Sequence, residues 1–250
     1  MNKATKGLVL RAVDYKESDK ILTVLTKDYG KITISARGAR KPKSKYTATS
    51  QLLAYSEFHF EERSGRYYLR EGRAIELFAG LQQDITKLAL GAYMVELLEA
   101  VSDADYMDAG LLSFGLNSLH MLSCGERDVR LVKAAFEIRL MCLAGYKPEL
   151  EFCMKCRCAQ MSEPMLHING GGVHCKRCRA DLQGLSLTLD SGSLQALRHI
   201  IHAPDEKIYA FRLGETGLAH LESAAEGYIL AQLERNFRTL DFMKKLENIR

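Results

Sequence analysis

The sequence predicts an α+β protein of more than one domain: a small five-stranded β-barrel first, then an all-α region that a short cysteine-rich segment interrupts. Three observations predict it. The first 76 residues fall into β-rich or alternating runs, the apolar period lengthens to that of a helix from Leu81 onward, and two Cys-x-x-Cys pairs stand between helical stretches. At 250 residues the chain is long enough for two domains. Its hydrophobic fraction of 47% and charged fraction of 26% are those of folded globular proteins and argue against disorder, collagen-like repeats and membrane spans.

The strand runs are Gly7–Tyr15, Lys20–Thr26, Lys31–Ala36, Gln51–Phe60 and Tyr67–Ile75. Turn chemistry separates them: Lys16-Glu17-Ser18-Asp19, Asp28-Tyr29-Gly30, a long Gly38–Ser50 link, and Ser64-Gly65. Five short strands in this length suit a closed barrel of the oligonucleotide-binding type, the OB-fold, over residues 1–79. From Leu77 the pattern turns helical, with Leu81, Ile85, Leu88, Ala92, Val95 and Leu98 spaced by four and three. Further helices are expected at about Leu111–Ser123 and Glu126–Ala144, the latter with Val129, Val132, Phe136, Leu140 and Leu143 inward and Gly145 and Pro148 as stop signals. Helical periodicity returns at Ser191–His202, Leu218–Phe237 and a last segment through Leu246, so a helical domain over 80–250 carries an insertion at 152–182. No internal repeat, low-complexity tract or GxxxxGK[ST] phosphate loop is present.

No apolar run reaches the roughly 18 residues of a membrane helix, and the N-terminus has no signal-peptide core, so a cytoplasmic location is expected. Seven cysteines without an export signal point to metal binding or free thiols rather than disulfides. Cys153-x-x-Cys156 and Cys175-x-x-Cys178 have the spacing of a zinc ribbon: each pair forms a tight turn, and two turns close a tetrahedral thiolate shell around Zn²⁺. A closed shell leaves no open coordination position, so the zinc is expected to be structural rather than catalytic. Cys158, His167 and His174 are the spare ligands nearby, and Cys124 and Cys142 on helical patterns are expected to be small core residues. His59-Phe60-Glu61 is formally the H-x-E of a deaminase, but Phe152 precedes the first Cys-x-x-Cys where that signature has Pro, so His59 reads as a strand residue.

Net charge is only +4, yet residues 1–80 hold 16 Lys/Arg against 9 Asp/Glu, whereas residues 81–152 hold 6 against 11. Between Asp28 and Glu57 there is no acidic residue, while Lys31, Arg37, Arg40, Lys41, Lys43 and Lys45 all fall in that window. The Gly38–Lys45 stretch reads as an exposed, flexible connection, able to follow phosphates and mostly unable to pack inward. Aromatics stand with it: Tyr46, Phe58, and the hairpin return Arg66-Tyr67-Tyr68-Leu69-Arg70 followed by Arg73. Alternation puts Arg66, Tyr68 and Arg70 on one face and turns Tyr67 and Leu69 inward, a mixture suited to holding a backbone and stacking bases without reading sequence. The expected DNA-binding set is therefore Lys31, Arg37, Arg40, Lys41, Lys43, Lys45, Tyr46, Arg66, Tyr68, Arg70 and Arg73.

Short motifs in a distinctive order resemble the RecO family of recombination mediators over nearly the whole chain. They are Gly7-Leu8-Val9-Leu10, Tyr15-x-Glu17-x-Asp19, Leu25-Thr26 with Gly30-Lys31, Gly38-Ala39-Arg40-Lys41, Gly145-Tyr146-x-Pro148 and Gly171-Gly172-Val173. The resemblance implies an OB-fold barrel, a helical domain and a zinc ribbon. It also implies a non-enzymatic role: binding single- and double-stranded DNA, annealing complementary strands, and loading a RecA-type recombinase onto DNA coated by single-strand-binding protein, with RecR and that coating protein as partners. The family usually has Gly after the second cysteine, where this chain has Arg157 and then Cys158. Two other classes compete, a zinc-ribbon adaptor that contacts only proteins and an enzyme acting on nucleic acid, and no carboxylate cluster for two-metal chemistry favours the enzyme.

Overall fold

The computed structural model describes residues 2–104, 107, 109–179 and 183–247, so the expected end of the insertion at 182 lies outside the described residues. Five strands, β1 (Asn2–Tyr15), β2 (Asp19–Thr26), β3 (Gly30–Ala36), β4 (Tyr55–Arg63) and β5 (Arg66–Glu76), close a barrel in the order β1-β2-β3-β5-β4. Closure requires β1 to pair with two neighbours. Its first half runs antiparallel to β4 and its second half to β2, and the register shifts between Val9 and Arg11. The bulge bends the strand from one partner to the other. Gly7 sits at a close approach of β1 and β2, for a Cβ there would stand 2.6 Å from Val24 Cγ1 and 2.8 Å from the Leu25 carbonyl oxygen. Leu22, Val24, Ile34, Phe58, Phe60 and Leu69 fill the interior.

The link between β3 and β4 is not the flexible loop the sequence suggests. It is a chain of tight turns, with successive backbone bonds from Ala39 to Ala36, Lys41 to Gly38, Ser44 to Lys41 and Ser50 to Tyr46. Ala39, Tyr46 and Ala54 join the barrel's apolar core. The small side chain of Ala39 and the long ring of Tyr46, spaced along a polar stretch, give the link a buried side that its lysines hide in the sequence. Its last residues, expected to begin β4 at Gln51, turn instead before Tyr55, and Leu53 takes a left-handed φ of 70°.

Six α-helices follow among the described residues: α1 (Ile85–Val101), α2 (Ala109–Cys124), α3 (Val129–Leu143), α4 (Ser191–His202), α5 (Glu215–Leu233) and α6 (Arg238–Glu247). A 3-10 turn at Ala79–Gln83 precedes α1, and the Asp84 carboxylate caps that helix by accepting from the Thr86 and Lys87 N–H groups. The chain packs as two compact units, residues 1–125 with 237–250, and residues 126–236. The first unit therefore holds the barrel together with α1, α2 and α6. Within it, the stripe expected to face inward on α1 divides. Val95 and Leu98 are buried, but Ile85 is 51% exposed and lines a shallow apolar groove with Leu88, Ala92 and Phe242 of α6.

In the second unit α3 is buried nearly all round, including the charged pair Lys133 and Glu137. Of the five apolar positions expected inward, Val132, Phe136 and Leu140 are fully buried, whereas Leu143 is exposed where the helix ends. Lys133 Nζ stands 3.1 Å from Glu137 and 2.8 Å from Glu226 of α5. Burial pulls the Lys133 ammonium down, but the two carboxylates outweigh it and hold the group well above the ordinary lysine range. Three short strands, β6 (Met165–His167), β7 (Gly172–His174) and β8 (Ser186–Thr188), form a sheet in the order β7-β6-β8 that carries the cysteines. Among the described residues no helix is long and apolar enough to cross a membrane. Replacing Lys133 with Met leaves two carboxylates without their shared ammonium, and is expected to cost about 3–5 kcal/mol in denaturant unfolding.

Candidate nucleic-acid interface and metal centre

An open groove of about 480 Å³ lies on the barrel. Its floor comes from Ile21 of β2, Thr33 and Ser35 of β3, and Tyr67 and Tyr68 of β5. Its two rims are the β1–β2 turn, with Tyr15 and Lys16, and the β4–β5 turn at Gly65 and Arg66. In an OB-fold these are the surfaces that take oligomers: the face of strands 2 and 3 between the first and last hairpin loops. The β4–β5 turn is tight because Ser64 and Gly65 both adopt left-handed φ, 47° and 71°, which makes a two-residue connection between the paired Arg63 and Arg66.

Of the residues expected to bind DNA, the groove gathers Arg37, Arg66 and Tyr68. The Arg37 guanidinium lies over the Tyr68 ring, 4.7 Å from its centroid. Tyr15 and Lys16, which the sequence presented only as strand end and turn, join them, with Lys16 Nζ 5.4 Å from the Tyr15 centroid. Asp19 also lines the groove, but its carboxylate accepts from the Gly38 N–H at 2.8 Å, and that bond, with help from Ser18, Arg37 and Lys16, holds its carboxyl below the ordinary range. The acid is committed to shaping the chain at the end of β3. The signal for Tyr15 and Lys16 was topological, since a barrel of this strand order presents its first hairpin loop at the groove.

The remaining expected residues fall elsewhere. Lys31 turns away to α1, where its ammonium donates to the Glu99 carbonyl at 2.7 Å in the last helical turn. Arg40 fastens the β3–β4 link to the first hairpin, donating to the Lys16 carbonyl at 3.1 Å and pairing with Asp14 at 3.2 Å. Lys45 donates to the Arg70 carbonyl at 2.9 Å. Arg70 occupies a bulge in β5, because Leu69 pairs with Phe60 and Glu71 with His59, and its guanidinium binds Glu61. Side-chain bonds from Arg63 and Arg70 bring the Glu61 carboxyl down to about 2. Arg73 pairs with Glu57 at 3.3 Å. The face expected to carry Arg66, Tyr68 and Arg70 is thus interrupted, while Lys41 and Lys43 of the link are exposed to solvent.

Tyr46 and Phe58 lie off the surface altogether. Both are buried in the barrel core, and the Tyr46 hydroxyl donates to the Arg70 carbonyl at 2.7 Å, so neither ring offers a face to a base. Tyr67 is half-buried with its edge against Phe60, centroids 5.0 Å apart, and touches both core and groove.

The ligand atoms of Cys153, Cys156, Cys175 and Cys178 all lie within 4.8 Å of one another. Backbone bonds build the two turns: Arg157 N–H donates to the Cys153 carbonyl and Cys178 N–H to the Cys175 carbonyl, both at 2.9 Å. Arg157 takes a left-handed φ of 60°, a conformation in which glycine carries no Cβ penalty. Burial opposes ionisation of Cys153, yet N–H groups of Cys156, Cys175 and Lys155 outweigh it and bring the thiol down to about 6. Cys178 is pushed up to about 12 by burial and then by its neighbouring sulfurs. Four sulfurs this close cannot all carry charge unless a cation sits among them, and soft tetrahedral thiolate donors fit such an ion. His167 and His174 form a separate ring pair on β6 and β7, centroids 5.9 Å apart, and neither belongs to the cluster. Cys124, expected in the core, is exposed at the end of α2, and Cys142 is half-buried.

Comparison with known proteins gives two family matches: residues 1–78 to the model described as recombination protein O N terminal, and residues 82–241 to recombination protein O C terminal. A DNA repair protein RecO of Acetivibrio thermocellus is 33% identical over 246 residues, covering 98% of each chain. Those of Symbiobacterium thermophilum and Halalkalibacterium halodurans are each 29% identical, covering 98% of this chain and 97% and 95% of their own. Placing Tyr46 in the core predicts that Tyr46→Ala destabilises the protein by about 3–5 kcal/mol in chemical unfolding, as for other buried aromatics. Tyr46→Phe, which loses only the hydroxyl's bonds, is expected to cost about 0.5–1.5 kcal/mol.

Proposed function

The chain belongs to the RecO family of DNA repair proteins, and from that premise we propose that it is a non-enzymatic recombination mediator whose barrel groove holds single-stranded DNA. The observation that carries the proposal is the coincidence, in one groove, of the OB-fold's oligomer-binding face with Arg37, Arg66, Lys16, Tyr68 and Tyr15. Three cations can neutralise successive phosphates while the two tyrosines offer rings to unstacked bases. None of these contacts distinguishes one base from another, as a mediator that must act on any sequence requires.

Lys41 and Lys43, exposed on the ordered link, extend the positive surface beyond the groove and suit a second backbone, duplex or complementary strand. Two neutralised backbones held on one barrel lower the repulsion that opposes annealing. In this role the protein works in the cytoplasm on gaps coated by single-strand-binding protein, with that protein and RecR as partners, and prepares them for a RecA-type recombinase. The four cysteines hold a structural Zn²⁺. The β6–β8 sheet is too small to supply a core of its own, and metal ligation substitutes for that core.

Affinity for a short oligonucleotide, measured against salt, tests the DNA reading. With about five phosphates neutralised, log K is expected to fall with log salt at a slope near −3.5, and a protein-only adaptor would bind no oligonucleotide. Changing Lys16, Arg37 and Arg66 together to Ala is expected to flatten the slope by about 2. Tyr68→Ala is expected to weaken binding by about 1–3 kcal/mol, the loss of one stacked base. For the metal, elemental analysis is expected to find one zinc per chain, and a strong chelator to lower the melting temperature; metal-free protein of unchanged stability would contradict it.

A further inference from the structure

The ribbon carries a fifth thiol that a four-cysteine site does not need. Cys158 is half-buried, packs against the sulfur cluster beside Met161, and holds its Sγ 3.4 Å from Sγ of Cys156. Its backbone is fixed by the same turn that presents the first pair, because its carbonyl accepts the Cys153 N–H at 2.9 Å. Cys156 is the exposed member of the cluster, whereas Cys153, Cys175 and Cys178 are buried. The accessible thiol therefore has a second thiol at contact distance, held on the same short loop.

We propose that Cys156 and Cys158 form a peroxide-sensitive thiol pair that opens the ribbon's metal shell. A hydroperoxide, hydrogen peroxide in the simplest case, is the oxidant. The Cys156 thiolate attacks one peroxide oxygen, the O–O bond breaks, hydroxide leaves, and Cys156 becomes the sulfenic acid. The Cys158 thiol then attacks the Cys156 sulfur; the S–S bond forms, the S–O bond breaks, and the Cys158 proton leaves with the oxygen as water. Two sulfurs lose two electrons to the peroxide, and a dithiol reductant reverses the step. Cys158 also protects its neighbour, since a sulfenic acid captured as disulfide does not proceed to the irreversible sulfinic and sulfonic acids. Once Cys156 is in the disulfide, three thiolates remain where four were, and the ion is held less tightly.

The consequence for the metal rests on the zinc reading above; the thiol chemistry does not. The full-length protein and Cys158→Ser, each with its zinc content measured first, are exposed to hydrogen peroxide. Zinc release is followed with a chromophoric chelator, and cysteine states are mapped by mass spectrometry. The wild type is expected to form a Cys156–Cys158 disulfide that dithiothreitol reverses, with release of its zinc. Cys158→Ser is expected to keep its zinc at rest, and after peroxide to accumulate Cys156 sulfinic acid and fail to regain zinc when dithiothreitol and zinc are added back. Recovery of zinc binding by peroxide-treated Cys158→Ser on reduction, a wild-type Cys158 still reduced after treatment, or loss of resting zinc in Cys158→Ser would each overturn the proposal. If the wild type holds no zinc, the metal reading fails, and the disulfide map still decides the thiol pair.

Discussion

Closure of the barrel is the constraint on which the candidate groove depends. Five strands in this order leave no free edge only because β1 serves both β2 and β4, bending at the bulge between Val9 and Arg11. Once closed, the barrel brings the first and last hairpin turns to opposite rims of one groove, although Lys16 and Arg66 stand fifty residues apart in sequence. The β3–β4 link, anchored by Ala39 and Tyr46, packs into the same core and is thereby fixed in place. Electrostatics then acts on a scaffold already set by apolar burial.

Most of the barrel's cations have structural employment. Lys31 caps a helix C-terminus, Arg40 ties two loops together, Lys45 satisfies a carbonyl, and Arg70 and Arg73 offset the carboxylates of β4. An exposed ion pair is worth little to stability, so the bonds of Arg70 and Arg73 to Glu61 and Glu57 contribute little to holding the barrel together. Arg40 and Lys45 hold backbone carbonyls instead, and moving them would disturb the link. Residue type and net charge do not separate these roles, because a guanidinium serves either; its neighbours decide.

The ribbon solves a different problem of size. Its three strands have three residues each, too few to bury a core, and the sulfurs take the place of apolar side chains at the centre. The geometry that makes them good ligands also makes them reactive, since sulfurs crowded within a few ångströms are poised for exchange as well as coordination. Arg157, held at a positive φ between Cys156 and Cys158, marks where the turn is most tightly constrained.

Local pattern alone determined the five strands, the six helices within a few residues, the cysteine quartet and the family, because pleat, helix period, turn residues and thiol spacing are properties of short stretches. It also placed Arg37, Arg66 and Tyr68 among the candidates. What it could not decide was which side of a chain segment meets the core. Tyr46 and Phe58 look like stacking rings in the sequence and are core residues in the fold; Ile85 looks like core and lies half open; Cys124 likewise is exposed. Tyr15 and Lys16 became groove residues only when the barrel closed. Burial and charge pairing are relations between segments distant in sequence, so only the tertiary structure fixes them, whereas the period of a strand or helix is written into every few residues.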